Sequence, residues 1–97
     1  MATYVTLYNW TEQGIRDVKG SIKRVESAKQ AAAKAGLNIK EVLWLQGPYD
    51  ILVISEASDE IATAAFALGT IKLGNVHGQT MRAFTAEEMA KILDKVA

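Results

Sequence analysis

The segment Gly47-Pro48-Tyr49-Asp50 combines residues that could bind a small molecule. It lies between two apolar stretches, where glycine and proline favour a turn. In one interpretation, Tyr49 and Asp50 stand at the rim of a pocket and supply a phenol and a carboxylate as specificity groups. In the other, the segment is a tight hairpin turn in which Asp50 accepts a backbone N–H. Both remain open, and Gly47, Tyr49 and Asp50 are candidate ligand-binding residues.

His77 is the only histidine of the chain and a further candidate. Its imidazole could serve as a base or as a ligand, but catalysis requires a partner group within hydrogen-bond distance. Gly78, next to it in a predicted strand, indicates a close approach of the backbone to another group, such as a bound ligand. The alternative is that His77 is a surface or internally satisfied side chain.

Aromatic residues follow one another along the first predicted strand. Tyr4, Tyr8 and Trp10 alternate with smaller side chains, and a second tryptophan, Trp44, occurs later. These aromatic side chains are typical of a subunit-interface core, with a cofactor-binding group as the alternative. Tyr8 and Trp10 are therefore included among the candidate ligand-binding residues. The pair Glu87-Glu88 indicates helix capping rather than an acid–base pair.

The composition excludes several kinds of site. The chain has no cysteine and one histidine, which removes disulfides, thiolate nucleophiles, zinc fingers, iron–sulfur clusters and multi-histidine metal sites. We therefore expect no metal and no cofactor. Eleven Lys and Arg residues balance eleven Asp and Glu residues. This balance argues against a nucleic acid or a membrane surface as partner, and it favours self-association.

No stretch of the sequence is typical of export or membrane insertion. The first residues, Met1 to Tyr4, lack the basic and apolar regions of a secretory signal. The longest uncharged run in a predicted helix, Ile61 to Ile71, is too short to span a bilayer. We expect a cytoplasmic protein.

The elements that position the candidate residues follow from periodicity and capping signals. Thr11 is the predicted N-cap of a helix that breaks at Gly20-Ser21 and ends at Gly36. Ser58 is the predicted N-cap of a second helix, and Thr85 begins a capping box before a short third helix. The predicted strands are Thr3 to Trp10, Asn38 to Gln46, Tyr49 to Ala57 and Val76 to Phe84.

This order of elements predicts the fold. Each half of the chain forms a strand–helix–strand unit, so residues 1–97 are expected to form one α+β domain with a ferredoxin-like βαββαβ arrangement and an added C-terminal helix. Right-handed crossovers place the first and third strands at the centre of an antiparallel sheet. Both long helices then lie on one face of that sheet.

The other face of the sheet is left uncovered. If Val5 and Leu7 face the helices, then Tyr4, Tyr8 and Trp10 project from the uncovered face. An aromatic face of this kind is too large an apolar patch for a monomer. We therefore expect the chain to pair with itself, as a homodimer or a higher oligomer.

Three blocks of sequence resemble the GYD-domain family. They are Thr3 to Arg16, Gly47-Pro48-Tyr49-Asp50, and Leu73 to Thr85 with the glutamate pair that follows. The resemblance implies a dimeric α+β barrel of ferredoxin-like protomers and indicates no particular reaction. A looser similarity is to the ligand-sensing half of Lrp/AsnC-type regulators, at Glu41-Val42, at Gly47 to Val53 and at Leu73 to Val76. Those modules bind amino acids at oligomer interfaces.

Three functions are compatible with these observations. The first is a non-enzymatic, oligomeric module for small-molecule binding or assembly, with its pocket at a subunit interface near Tyr49 and Asp50. The alternative is a cofactor-independent monooxygenase or isomerase of the dimeric α+β barrel type, in which Tyr8, Asn9, Trp10 and His77 surround an internal cavity. The third is a purely structural oligomer. A cavity inside each protomer favours the enzyme, and a pocket between subunits favours the binding module.

Overall fold

Nine residues from Ala2 to Trp10 form the first strand, β1, because β-branched and aromatic side chains occupy most of its positions. The computed structural model describes all 97 residues. The other elements are α1 (Glu12–Arg16), α2 (Ser21–Lys34), β2 (Leu37–Trp44), β3 (Ile51–Ala57), α3 (Glu60–Lys72), β4 (Val76–Ala83) and α4 (Ala86–Asp94). No helix is long and apolar enough to cross a bilayer.

The first helical region begins, breaks and ends as predicted. The hydroxyl of Thr11 accepts the N–H of Gly14 at 3.1 Å, which makes Thr11 the N-cap of α1. A 3₁₀ turn at Val18–Gly20 separates α1 from α2, so the helix breaks just before Ser21. Gly36 follows α2 with a φ of +86°, a left-handed conformation that favours glycine.

The start of α3 differs from the prediction by one residue. Asp59, rather than Ser58, is the N-cap, and its carboxylate accepts the N–H of Ile61 at 2.9 Å. Both residue types are good N-caps, so local preference does not decide between adjacent candidates.

The four strands form one antiparallel sheet in the order β2-β3-β1-β4. This order confirms that the first and third strands are central. Ala32 of α2 and Phe66 of α3 both pack into the core around Tyr4, so the two long helices cover the same face of the sheet. The predicted α+β, ferredoxin-like fold is therefore confirmed, and α4 is the added helix.

The prediction of which side of β1 faces the helices is wrong. Tyr4, Thr6 and Tyr8 are the buried residues of β1, with 8%, 6% and 8% of their surfaces exposed. Tyr4 belongs to the core beneath the helices. Because side chains alternate along a strand, Val5 and Leu7 lie on the uncovered face. That face is aliphatic, not aromatic.

Small side chains on the helices explain this orientation. Ala32 is fully buried against Tyr4, and Ala62 packs against the same core. An alanine leaves room above the sheet that a tyrosine ring fills, and close packing requires such pairs of large and small side chains. Both alternating sets of β1 residues contain apolar side chains, so alternation alone cannot choose between them.

The buried Tyr8 gives an alkaline dependence of stability. Burial raises the pKa of the Tyr8 phenol above its ordinary value of 10.0, and the Thr70 hydroxyl opposes this with a smaller effect. The stabilising contribution is complete below the unfolded pKa and is lost as the pH rises above it. We expect the free energy of unfolding to fall more steeply in the wild type than in Tyr8→Phe as the pH rises above about 10, the ordinary pKa of a tyrosine. Urea titrations at stepped pH measure this, with Tyr49→Phe as the control. Parallel pH curves for wild type and Tyr8→Phe would contradict it.

Candidate functional site

The face of the sheet that carries no helix, called the open face below, has two mainly apolar rows. Residues paired across neighbouring strands share a face, so the strand register defines each row. The two rows are Leu43–Leu52–Leu7–Gln79 and Glu41–Ile54–Val5–Met81. The open face therefore presents aliphatic side chains from all four strands.

The next row of the open face is polar. Asn9 of β1 is paired with His77 of β4. On its other side, the Asn9 side-chain amide donates to the carbonyl oxygen of Pro48 at 2.7 Å and lies 3.4 Å from Oδ2 of Asp50. His77, Asn9 and Asp50 thus form the polar end of the open face, next to the row of leucines.

Asp50 fastens the turn before β3 to the end of β1. Its Oδ2 accepts the backbone N–H of Trp10 at 2.9 Å, and its own N–H donates to the carbonyl oxygen of Tyr8 at 2.9 Å. Gly47 opens the turn with a φ of +133°. This geometry agrees with the turn interpretation, in which Asp50 accepts a backbone N–H. The other carboxylate oxygen of Asp50 accepts no hydrogen bond from the chain.

The loop between α3 and β4 meets the same end of β1. The N–H of Thr11 donates to the carbonyl oxygen of Asn75 at 3.1 Å, and its hydroxyl donates to that of Gly74. The Gln13 amide donates to the Leu73 carbonyl at 3.1 Å and to Oδ1 of Asn75 at 3.0 Å. Three segments that are far apart in sequence therefore converge at one end of the sheet.

The predicted site residues divide between the two faces of the sheet. Tyr8 is buried on the helix side, and Trp10 follows it in the same alternation. Asp50 and His77 lie on the open face and are linked through Asn9. The four residues considered for an enzyme, Tyr8, Asn9, Trp10 and His77, therefore do not surround one cavity.

Three of the predicted site residues have polar side-chain groups that form no hydrogen bond within the chain. The His77 imidazole is exposed, and the phenol of the half-buried Tyr49 makes no hydrogen bond within the chain. The ring N–H of Trp10 is buried without an acceptor. A buried donor without an acceptor costs about 1–3 kcal/mol, so such groups in native proteins call for a reason.

A small cavity lies between the sheet and the helices. Its volume is about 20 Å³, and its lining includes Thr6, Ser55, Thr63 and Thr80. The Thr6 and Thr80 hydroxyl oxygens are 3.0 Å apart and share a hydrogen bond. The volume suits a water molecule, whereas pockets for organic ligands measure roughly 300–1,000 Å³. None of these four residues was predicted, although the three on strands, Thr6, Ser55 and Thr80, alternate with residues of the open face.

The fold and the converging loops define a ferredoxin-like α+β protein whose loops meet at one end of the sheet. The family model of the GYD domain matches residues 4–93, and the chain belongs to the GYD domain family. No curated protein sequence matches the chain.

A solved structure has a similar fold. The crystal structure of MtbAldR superimposes with a TM-score of 0.67 at 13% sequence identity, over 87% of this chain and 53% of that one. This chain thus spans about half of the length of MtbAldR. At that identity the similarity establishes the fold alone.

The contacts of Asp50 predict a loss of stability when its carboxylate is removed. Asp50→Ala leaves the Trp10 N–H without its acceptor, and a part-buried unsatisfied donor costs roughly 1–3 kcal/mol. We expect a loss of free energy of unfolding in this range by chemical denaturation. Asp50→Asn is the matched control, because it retains an acceptor oxygen and should lose less. Unchanged stability in Asp50→Ala would contradict the fastening role of this carboxylate.

Proposed function

We propose that the protein is a non-enzymatic, homo-oligomeric module that binds a small polar metabolite at a boundary between subunits. One observation carries the proposal: the apolar rows of the open face adjoin the polar end formed by His77, Asn9 and Asp50. A second copy packed on the apolar rows would have its edge at this polar end. The pocket would then be completed by the partner.

The apolar rows support self-association. Leu43 and Met81 have 47% and 40% of their surfaces exposed, and Leu7, Leu52 and Ile54 lie between them. Contiguous exposed apolar side chains mark an interaction surface. Two such faces pack about 10 Å apart in sheet-on-sheet arrangements. In a two-fold symmetric dimer, the open face of one protomer would pack against the same face of the other.

The groups around the polar end indicate the class of ligand. Asp50 offers an unused carboxylate oxygen, which suits an ammonium or hydroxyl donor. The imidazole of His77 and the phenol of Tyr49 can each donate or accept a hydrogen bond. This mixture fits a small zwitterion, such as an amino acid, better than an apolar or a multiply phosphorylated molecule.

The monooxygenase or isomerase alternative has less support. It requires a substrate cavity inside each protomer, but the internal cavity of about 20 Å³ has room for little more than a water molecule. It also requires Tyr8 and His77 to lie on the same side of the sheet. In the structure, Tyr8 of β1 and His77 of β4 lie on opposite faces. The binding module needs neither condition.

Native mass spectrometry with a thermal-shift screen tests the proposal. We expect a dimer, or a multiple of a dimer, and a rise in melting temperature with at least one of the standard amino acids. Ligand at about 100 times its dissociation constant stabilises the folded state by about 2.7 kcal/mol, which is readily detected.

His77→Ala is the informative variant for this screen. His77 is exposed and makes no hydrogen bond within the chain, so the fold should not depend on its side chain. The variant should keep the oligomeric state and lose the thermal shift. A monomeric wild type would refute the proposal. An oligomer that responds to no amino acid would leave assembly as the function.

A further inference from the structure

A groove lies on the helix side of the sheet, where β1 begins and β3 ends. Its volume is about 510 Å³, and the first turn of α3 forms one of its walls. Pockets for organic ligands measure roughly 300–1,000 Å³, so the groove has room for a small molecule. Its polar lining consists of Tyr4, Ser58, Asp59, Glu60 and Arg82.

Tyr4 brings an unpaired phenol to this groove. Only 8% of its surface is exposed, and its ring packs in the core with Ala32 and Leu37. The phenol forms no hydrogen bond within the chain, yet its oxygen is not fully enclosed, and Tyr4 lines the groove. Polar groups of residues this buried ordinarily have a hydrogen-bond partner. A molecule in the groove would supply that partner.

Arg82 forms the opposite wall, and its charge is already paired. Its guanidinium donates to the carbonyl oxygens of Thr3, at 3.4 Å, and of Ala83. It also donates to the carboxylate of Glu88 at 3.1 Å, and its central carbon lies 5.9 Å from the centre of the Tyr4 ring. An anion in the groove would have to compete with Glu88 for this guanidinium. Arg82 therefore does not make the groove an anion site.

The unpaired groups of the groove are mainly hydrogen-bond acceptors. Asp59 caps α3 through Oδ1, which accepts the N–H of Ile61 at 2.9 Å, and its Oδ2 accepts no hydrogen bond. Neither Asp59 nor Glu60 forms an ion pair within the chain. Acidic residues are common in the first turn of a helix, so this pair alone would not indicate a ligand. The unpaired phenol of Tyr4 beside them does.

We propose that this groove binds the ammonium group of a small aliphatic amine. An ammonium group has three N–H donors and no acceptor, which matches Oδ2 of Asp59, the Glu60 carboxylate and the phenol oxygen of Tyr4. Ala57 and Ile61 supply apolar surface for the aliphatic chain. The site goes beyond the proposed function, because it lies away from the open face and is complete within one protomer.

An NMR titration of ¹⁵N-labelled protein tests the groove, with n-butylamine as the probe at pH 7. Alkyl amines of this kind are protonated at that pH, as a lysine side chain is. We expect saturating shifts of the backbone amide signals from Ala57 to Ile61 and of Tyr4. Butan-1-ol, with the same aliphatic chain and no charge, should produce no saturating shift there. Equal responses to the two compounds, or no saturating shift at these amides, would overturn the proposal.

Two variants separate the groove from general attraction to acidic surface. Asp59→Asn keeps a good N-cap and removes the charge, so the dissociation constant for n-butylamine should rise roughly tenfold or more. Tyr4→Phe keeps the buried ring and should weaken binding roughly threefold or more. Glu26→Gln, at an exposed position of α2 outside the groove, should leave binding unchanged.

The variants also give the result that would refute the site. If Asp59→Asn and Tyr4→Phe bound n-butylamine as tightly as the wild type does, the groove would not be the ammonium site. An equal loss in Glu26→Gln would assign the binding to surface charge in general. The oligomeric state does not enter these outcomes, so they stand or fall separately from the proposed function.

Discussion

Replacing Gly14 with alanine is expected to destabilise the protein by roughly 1–3 kcal/mol or more, the range found for overpacked sites. A Cβ at this position would lie 1.9 Å from the carbonyl oxygen of Asn75 and 2.9 Å from its carbonyl carbon. Both atoms belong to the backbone, and the Asn75 carbonyl already accepts the N–H of Thr11. The clash cannot be relieved by rotating a side chain. Urea unfolding, with the midpoint and slope compared, measures the loss.

Gly69→Ala is the control for this substitution. Gly69 lies inside α3, and a Cβ there meets no atom within 4 Å. Alanine has the higher helix propensity, so this variant should be unchanged or more stable by up to about 1 kcal/mol. If Gly14→Ala unfolded at the same urea concentration as the wild type, the loop at Asn75 would have to move freely. The junction of the three converging segments would then not be rigid.

Local signals predicted the boundaries of several elements. Thr11 and the Thr85 capping box begin helices as expected, and Gly36 follows the end of α2 in a left-handed conformation. Such signals depend on a side chain and the backbone within four residues of it, so the local sequence is sufficient to predict where a helix begins or ends. The strand order could also be predicted from the order of the elements, because the handedness of crossover connections allows few topologies.

The orientation of β1 could not be predicted in the same way. Tyr4 and Val5 are both acceptable core residues, and the pattern of the strand defines two faces without choosing one. The choice depends on Ala32 and other small residues of the helices, which come into contact with β1 only in the folded chain. The consequence for function is large, since it makes the open face aliphatic and moves Tyr8 away from His77.

The candidate site was only partly visible in the sequence. The segment Gly47-Pro48-Tyr49-Asp50 and His77 stood out by residue type, but nothing in the sequence places them on the same face. Their link is Asn9, which is paired with His77 and donates to the Pro48 carbonyl. Long-range strand pairing creates this juxtaposition, so it could be found only from the register of the sheet.

The second large effect concerns Leu52, at the centre of the open face. Leu52 is paired with Leu7 on one side and with Leu43 on the other. If two open faces pack together, Leu52→Glu buries a carboxylate in an aliphatic layer without a partner. An uncompensated buried charge costs about 3–5 kcal/mol, which corresponds to roughly a hundredfold or greater rise in the dissociation constant. We expect sedimentation velocity to show a monomer with an unchanged far-UV circular dichroism spectrum.

Ile61→Glu is the matched control, because it makes the same change from an aliphatic to an acidic side chain. Ile61 is 81% exposed in the first turn of α3, on the helix side of the sheet, where the helix dipole favours an acidic residue. This variant should sediment as the wild type does. A dimeric Leu52→Glu would exclude the open face as the interface, and dissociation by Ile61→Glu alone would assign the interface to the helices. In either case the pocket at the polar end would no longer lie between subunits, because its completion depends on a partner packed against the leucine row.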